Sequence, residues 1–113
     1  MLKKKKSGIS NFYTENKTFN FGEIKLNDTL NHTFKIKNIS KNKLIISKIA
    51  TSCGCTQIGD IKKELELNEE TEIKIQFIPK ESQVGNLVKN TVVLEINTEP
   101  PFVVYNIKGR VIK

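Results

Sequence analysis

Leu30-Asn31-His32-Thr33-Phe34-Lys35-Ile36-Lys37 decides the fold. Leu30, His32, Phe34 and Ile36 are apolar or aromatic, and the residues between them are polar or basic. A side-chain period of two is that of a β-strand with one buried face; a helix would repeat every three to four residues. The same alternation returns at Ile73, Ile75 and Phe77, at Val92, Leu94 and Ile96, and at Val103, Tyr105, Ile107 and Val111. Leu44-Ile45-Ile46-Ser47-Lys48-Ile49 is apolar on both parities, which suits a central strand or one carrying a bulge. Turn signals separate these runs at Gly22, Asn38 to Asn42, Gly59-Asp60, Asn68-Glu69, Pro79 to Gly85 and Glu99-Pro100-Pro101. Leu65 and Leu67, alternating with glutamates, add a short strand where a single helical turn is the competing reading. The pattern predicts an all-β, antiparallel β-sandwich of seven or eight strands. Its strands are expected at 17–22, 29–38, 43–50, 55–58, 64–67, 70–78, 89–97 and 102–112.

The chain has 113 residues, enough for one core, and no apolar run approaches the roughly 18 residues that span a bilayer. Its net charge is +7, and Lys3, Lys4, Lys5 and Lys6 carry four of it. Residues 1–16 are polar, lysine-rich and aperiodic. They read as a flexible basic tail, and residues 17–113 as a single domain. The four lysines suit a nearby anionic surface, but without interleaved aromatics they do not specify nucleic acid. Met1 to Lys6 looks like the first part of a secretory signal, yet Ser7-Gly8-Ile9-Ser10-Asn11 is not the apolar segment that should follow. A cytoplasmic chain and a trimmed exported one both fit.

Ser52-Cys53-Gly54-Cys55-Thr56 contains both cysteines of the chain, one residue apart. The spacing is neither Cys-x-x-Cys nor a zinc-knuckle pattern. Four chemistries fit the pair. A disulfide needs a bend at Gly54, because residues two apart in an extended strand stand nearly 7 Å apart, beyond relaxed bridging distance. Two thiolates on one face would suit Cu(I), or would share Zn²⁺ with other ligands, for which His32 is the only imidazole in the chain. A nucleophilic cysteine would need a positioned base. Two thiols can also serve as small buried apolar groups. The metal, if any, stays unspecified. Glu64, Glu66, Glu69, Glu70 and Glu72 alternate with apolar residues or sit in a turn, as on a solvated face. No Gly-rich phosphate loop, His-Glu-x-x-His or nucleophile elbow occurs, and no cofactor is implied.

Phe21-Gly22-Glu23-Ile24, Phe34-Lys35-Ile36-Lys37-Asn38, Leu44-Ile45-Ile46, the Ser52–Thr56 motif, Ile73–Phe77, Gly85, Asn97 and Ile107-Lys108-Gly109-Arg110-Val111 come in a familiar order. Together they resemble the uncharacterised bacterial family marked by an SCGCT motif, domain-of-unknown-function family 1573. That family is similar to the immunoglobulin-like domains of the major-sperm-protein and cilium-associated ASH groups. The resemblance covers about residues 17–112. It implies an immunoglobulin-like fold, often exported to the periplasm or cell surface in Bacteroidetes-like bacteria, and no activity. Family members often have Pro-Gly before the Ile73–Phe77 strand, where this chain has Asn68-Glu69. The functional expectation is a non-enzymatic protein-binding or assembly module, an accessory subunit of a cell-envelope complex. The alternative is a thiol-redox or Cu(I)-handling protein using Cys53 and Cys55.

Overall fold

A computed structural model describes residues 9–113. The lysine run therefore lies outside the described residues. Among the described residues nine strands form, in chain order β1 (Phe12–Tyr13), β2 (Thr18–Lys25), β3 (Leu30–Asn38), β4 (Leu44–Thr51), β5 (Thr56–Ile58), β6 (Glu64–Leu65), β7 (Glu70–Phe77), β8 (Leu87–Ile96) and β9 (Phe102–Ile112). A single 3-10 turn at Glu81–Gln83 is the only helical element among the described residues. The strands build two sheets, one ordered β1-β3-β7-β5 and the other β2-β9-β8-β4-β6.

The alternating residues do what their period requires. Phe34, Ile36, Ile73, Ile75 and Phe77 fill the inner face of the first sheet. Val92, Leu94, Ile96, Val103, Tyr105, Ile107 and Val111 fill that of the second. Each large side chain taken from water contributes about 1.5–3 kcal/mol. Lys35 pairs with Glu72 and Thr33 with Lys74 on the outer face, as the register of an amphipathic ladder dictates. The fold is an immunoglobulin-like β-sandwich, as the sequence pattern and the resemblance together lead one to expect.

Several details differ from the sequence reading. Pairing between these strands is antiparallel except between β2 and β9, which run parallel, and Val84 adds an isolated parallel bridge to Val111. Gly22 does not end its strand. At φ 74 it forms a bulge, with a register shift between Asn20 and Gly22, and β2 continues to Lys25. Phe21 lies so close to Gly109 that a Cβ there would run into its ring. β4 carries the second bulge, between Ile46 and Lys48. β6 stops at Leu65, and Leu67 is exposed, because the chain already turns there. Asn68 makes that turn at φ 70, a left-handed conformation Asn tolerates, so the turn needs no Pro-Gly.

The expected tail is also shorter than 16 residues. Phe12 and Tyr13 pair with Asn38 and Lys37 on β3. Ser10 is buried and joins both sheets. Its N–H donates to the Asn97 carbonyl at 2.7 Å, and its hydroxyl lies 3.1 Å from Asn38 Oδ1. The Thr14 hydroxyl donates to the Lys35 carbonyl at 2.6 Å and accepts from the Tyr105 hydroxyl at 2.9 Å. Two paired residues with no hydrophobic period leave too little pattern to read, yet their hydrogen bonds fasten residues 10–14 to the sandwich.

Candidate functional site

The Ser52–Thr56 motif carries the chain from one sheet to the other. Thr51 ends β4 in the second sheet, and Thr56 begins β5 in the first. The crossover is fastened at both sides. The Ser52 N–H donates to the Thr91 carbonyl at 2.9 Å, and the Thr91 N–H donates back to Ser52 Oγ at 2.9 Å. On the far side the Ile78 N–H donates to the Cys55 carbonyl at 3.0 Å. Between these anchors the chain closes a tight turn, the Thr56 N–H donating to the Cys53 carbonyl at 3.1 Å.

That turn brings the cysteines into bonding range. Their Cα atoms are 5.2 Å apart and their sulfurs are joined as a disulfide. The bend supplies what an extended strand would not. Gly54 is not in a left-handed conformation, and open space lies where its side chain would begin. Its role in the turn is to leave the peptide between the two sulfurs bare. The two cysteines differ in exposure. Cys55 is 5% exposed and belongs to the core, whereas Cys53 is half-buried at its margin. The Cys55 N–H donates to Cys53 Sγ at 3.2 Å. Gln83 Nε2 lies 3.9 Å from Cys55 Sγ. The Gln83 amide is held in that direction because its Oε1 accepts from the Lys80 N–H at 2.8 Å. Sequence reading missed Gln83, which lies 28 positions away from Cys55 and reaches it only through the 3-10 turn.

Two buried polar atoms at this end have no hydrogen-bond partner among the described residues, Thr56 Oγ1 and Asn90 Nδ2. Asn90 precedes Thr91, the residue that holds Ser52, so both flank the crossover. Unpartnered buried groups are uncommon in native structures.

His32 does not join the cysteines. It stacks on Phe19 with ring centroids 3.8 Å apart and planes within 10°, and meets Phe34 edge-on at 4.6 Å. Burial there pushes its pKa below the ordinary 6.5. Among the described residues no three His, Cys, Asp or Glu side chains stand together as a metal cluster. The glutamates lie on the outside, paired at the surface: Lys43 with Glu64 and Glu66, Lys62 with Glu69, and Lys74 with Glu72. Such exposed pairs add little to stability.

A second feature lies along β3. β1 covers only Lys37 and Asn38, so among the described residues no strand lies outside Leu30–Ile36. The Asn38 N–H goes to Glu69, just before β7, and the Ile39 N–H to Asn11 beside β1. Alternation along the ladder therefore turns the backbone groups of Asn31, Thr33 and Lys35 outward, and of these the Lys35 carbonyl is taken by the Thr14 hydroxyl. Beside this edge runs a groove of about 590 Å³, lined by Tyr13, Thr14, His32, Phe34, Lys35 and Glu72 among others.

A two-sheet immunoglobulin-like sandwich with a Cys-Gly-Cys crossover defines the class. The chain belongs to the family described as Protein of unknown function (DUF1573), matched over residues 12–111. No curated protein matches it. Among solved structures it is similar to a protein of unknown function from Porphyromonas gingivalis W83, with a TM-score of 0.75 at 14% identity. That match covers 92% of this chain, which spans 47% of the Porphyromonas chain. It is also similar to the ASH / PapD-like domain of human CEP192, with a TM-score of 0.70 at 13% identity, covering 99% of this chain and 91% of that one. The Vibrio cholerae VesB protease contains a comparable sandwich, with a TM-score of 0.60 at 10% identity over 92% of this chain and 32% of the protease. At such identities these likenesses concern the fold alone. Among the described residues no helix is long and apolar enough to cross a membrane.

Proposed function

We propose that this chain is a non-enzymatic protein-binding or assembly module that accepts a strand of its partner along β3. The observation that carries this reading is the strand edge at Asn31 and Thr33, which no strand covers among the described residues, continued by Lys35, whose carbonyl already accepts from the Thr14 hydroxyl. An unpaired edge is a template for another chain, and natural sheets usually cover or blunt one. A partner segment laid there would gain main-chain hydrogen bonds, and the adjoining groove would accept its side chains.

We further propose that the module serves as an accessory subunit of a cell-envelope complex in a Bacteroidetes-like bacterium, in the periplasm or at the cell surface. The Cys53–Cys55 disulfide supports an oxidising compartment, where such bonds persist. The lysines at positions 3–6 would sit near an anionic surface in that setting.

The test is a Thr33→Pro variant. Proline removes an N–H that points outward and makes no ladder bond, a placement edge strands accept. A photo-crosslinker at Lys35 in the native cell should capture a protein in the parent chain and lose it in the Thr33→Pro chain, with little change in melting temperature. Unchanged capture of the same partner in the variant would contradict the reading.

A further inference from the structure

We infer that the Cys53–Cys55 disulfide is a thiol-exchange site, at which Cys53 takes an incoming thiol as a mixed disulfide and Cys55 acts as the resolving sulfur. The assignment stands apart from the β3 edge, which lies on another part of the sandwich.

Three independent observations converge on it. The first is asymmetry of access: Cys53 is half-buried, while Cys55 is 5% exposed. A thiolate must approach one sulfur along the extension of the S–S axis, and Cys53 is the more exposed residue of the pair. The second is the bare loop. Gly54 is exposed, and nothing lies within 4 Å of where its side chain would start. No side chain of the bridging residue shields the approach. The third is the placement of donors. Gln83 Nε2, its amide fixed by the Lys80 N–H, is directed at Cys55 Sγ. The Cys55 N–H is directed at Cys53 Sγ. Hydrogen bonds to a sulfur favour its thiolate, so each sulfur has a donor ready when it carries the negative charge. The unpartnered Thr56 hydroxyl and Asn90 amide flank the same loop.

The chemistry balances without any further reagent. An incoming thiolate attacks Cys53 Sγ, forming a new S–S bond as the Cys53–Cys55 bond breaks. The electron pair of the broken bond stays on Cys55 Sγ. The incoming sulfur is oxidised and the Cys55 sulfur reduced, so the exchange is redox-neutral overall. The Cys55 thiolate then rests against the Gln83 amide, or takes a proton from water. In the reverse step Cys55 attacks the Cys53 sulfur and expels the thiol. A second thiol on the incoming molecule can instead attack the mixed disulfide, leaving both cysteines reduced and the incoming pair oxidised. The ligand class is therefore a thiol, carried by a protein or by a small molecule.

The full chain is treated with glutathione under native conditions, quenched in acid, alkylated and mapped by mass spectrometry. The glutathione adduct should lie on Cys53 and the alkyl group on Cys55, by a ratio of about ten to one or more. An adduct on Cys55, an equal split, or a disulfide that opens only after unfolding would overturn the assignment. Gln83→Glu keeps the acceptor that meets the Lys80 N–H but removes the donor to Cys55. It should open about tenfold more slowly, as expected for loss of one hydrogen bond to a charged group, with an unchanged melting temperature. An unchanged opening rate would remove Gln83 from the site. In the native cell, Cys55→Ser should retain its adduct on Cys53. A protein-sized, reductant-sensitive adduct marks a protein thiol, and a small mass increment marks a low-molecular-weight thiol. Absence of any adduct on Cys53 in both the glutathione and the cellular arm would overturn the site itself.

Discussion

The two ends of the sandwich handle buried polarity in opposite ways. At one end Asn38 is fully buried, and every hydrogen-bonding position of its amide is used. Oδ1 meets the Ser10 hydroxyl and accepts the Ser40 N–H, and Nδ2 donates to the carbonyls of Asn42 and Leu65. That single side chain ties the N-terminal segment, the β3–β4 turn and β6 together. At the other end Thr56 Oγ1 and Asn90 Nδ2 are buried without partners among the described residues, and a disulfide joins residues only two positions apart. A satisfied polar network rigidifies and specifies a fold, whereas a partly satisfied one costs stability. The difference teaches that the fold is locked at the Asn38 end and left chemically open at the Cys53 end.

The sharpest way to break this contrast is at Asn38. Asn38→Ala removes four hydrogen bonds, two of them fully buried, and should cost about 3–4 kcal/mol in urea unfolding. A cost below about 1 kcal/mol would show that water enters and replaces the network. Ser10→Ala removes one member and should cost about 1 kcal/mol. Its proper comparison is deletion of residues 2–8, which should leave the melting temperature nearly unchanged. If Ser10→Ala proves neutral, residues 10–13 do not hold the end together. Thr56→Val should be the mildest change, within about 0.5 kcal/mol or slightly stabilising, because the hydroxyl it removes has no partner to lose. A loss like that of Ser10→Ala would mean the hydroxyl is bonded after all and the contrast is weaker than drawn.

His32 adds a pH arm between the ends. Its folded-state pKa is depressed by burial, so the unfolded chain binds its proton more readily. The stability contributed by the neutral, stacked imidazole is fully present above 6.5, the unfolded value, and is lost as pH falls through the lower folded value. An NMR titration should place the His32 midpoint below 6.5. Phe19→Ala, which uncovers the ring, should move it back upward. A midpoint at or above the unfolded value would refute the stacked, desolvated placement.

What the sequence reveals follows from where its information is local. The inner faces of β3, β7, β8 and β9 are visible because a half-buried strand must alternate, and Phe34, Ile75, Leu94 and Tyr105 are buried where the period puts them. The Ser52–Thr56 motif is visible because paired cysteines stand out. Hidden are the features made by few residues or by distant ones. β1 has two residues, too short for any period. Gly22 reads as a strand end because a bulge and a turn use the same residue. The parallel β2–β9 pair depends on how the chain crosses between sheets. Gln83 reaches Cys55, and Ser10 reaches Asn38, only after the sandwich has closed; nothing in the neighbourhood of either residue announces the meeting.

The most direct test of the contrast between the two ends is urea unfolding of the protein with its disulfide intact and with it reduced, beside Asn38→Ala. The Cys53–Cys55 bridge closes a loop of three residues, so in the chain-entropy account its loss should cost only roughly 1–2 kcal/mol. The reduced protein should stay folded and remain clearly more stable than Asn38→Ala. A chain that unfolds on reduction, or loses as much as Asn38→Ala, would make the disulfide a structural brace and contradict the view that this end is free for chemistry.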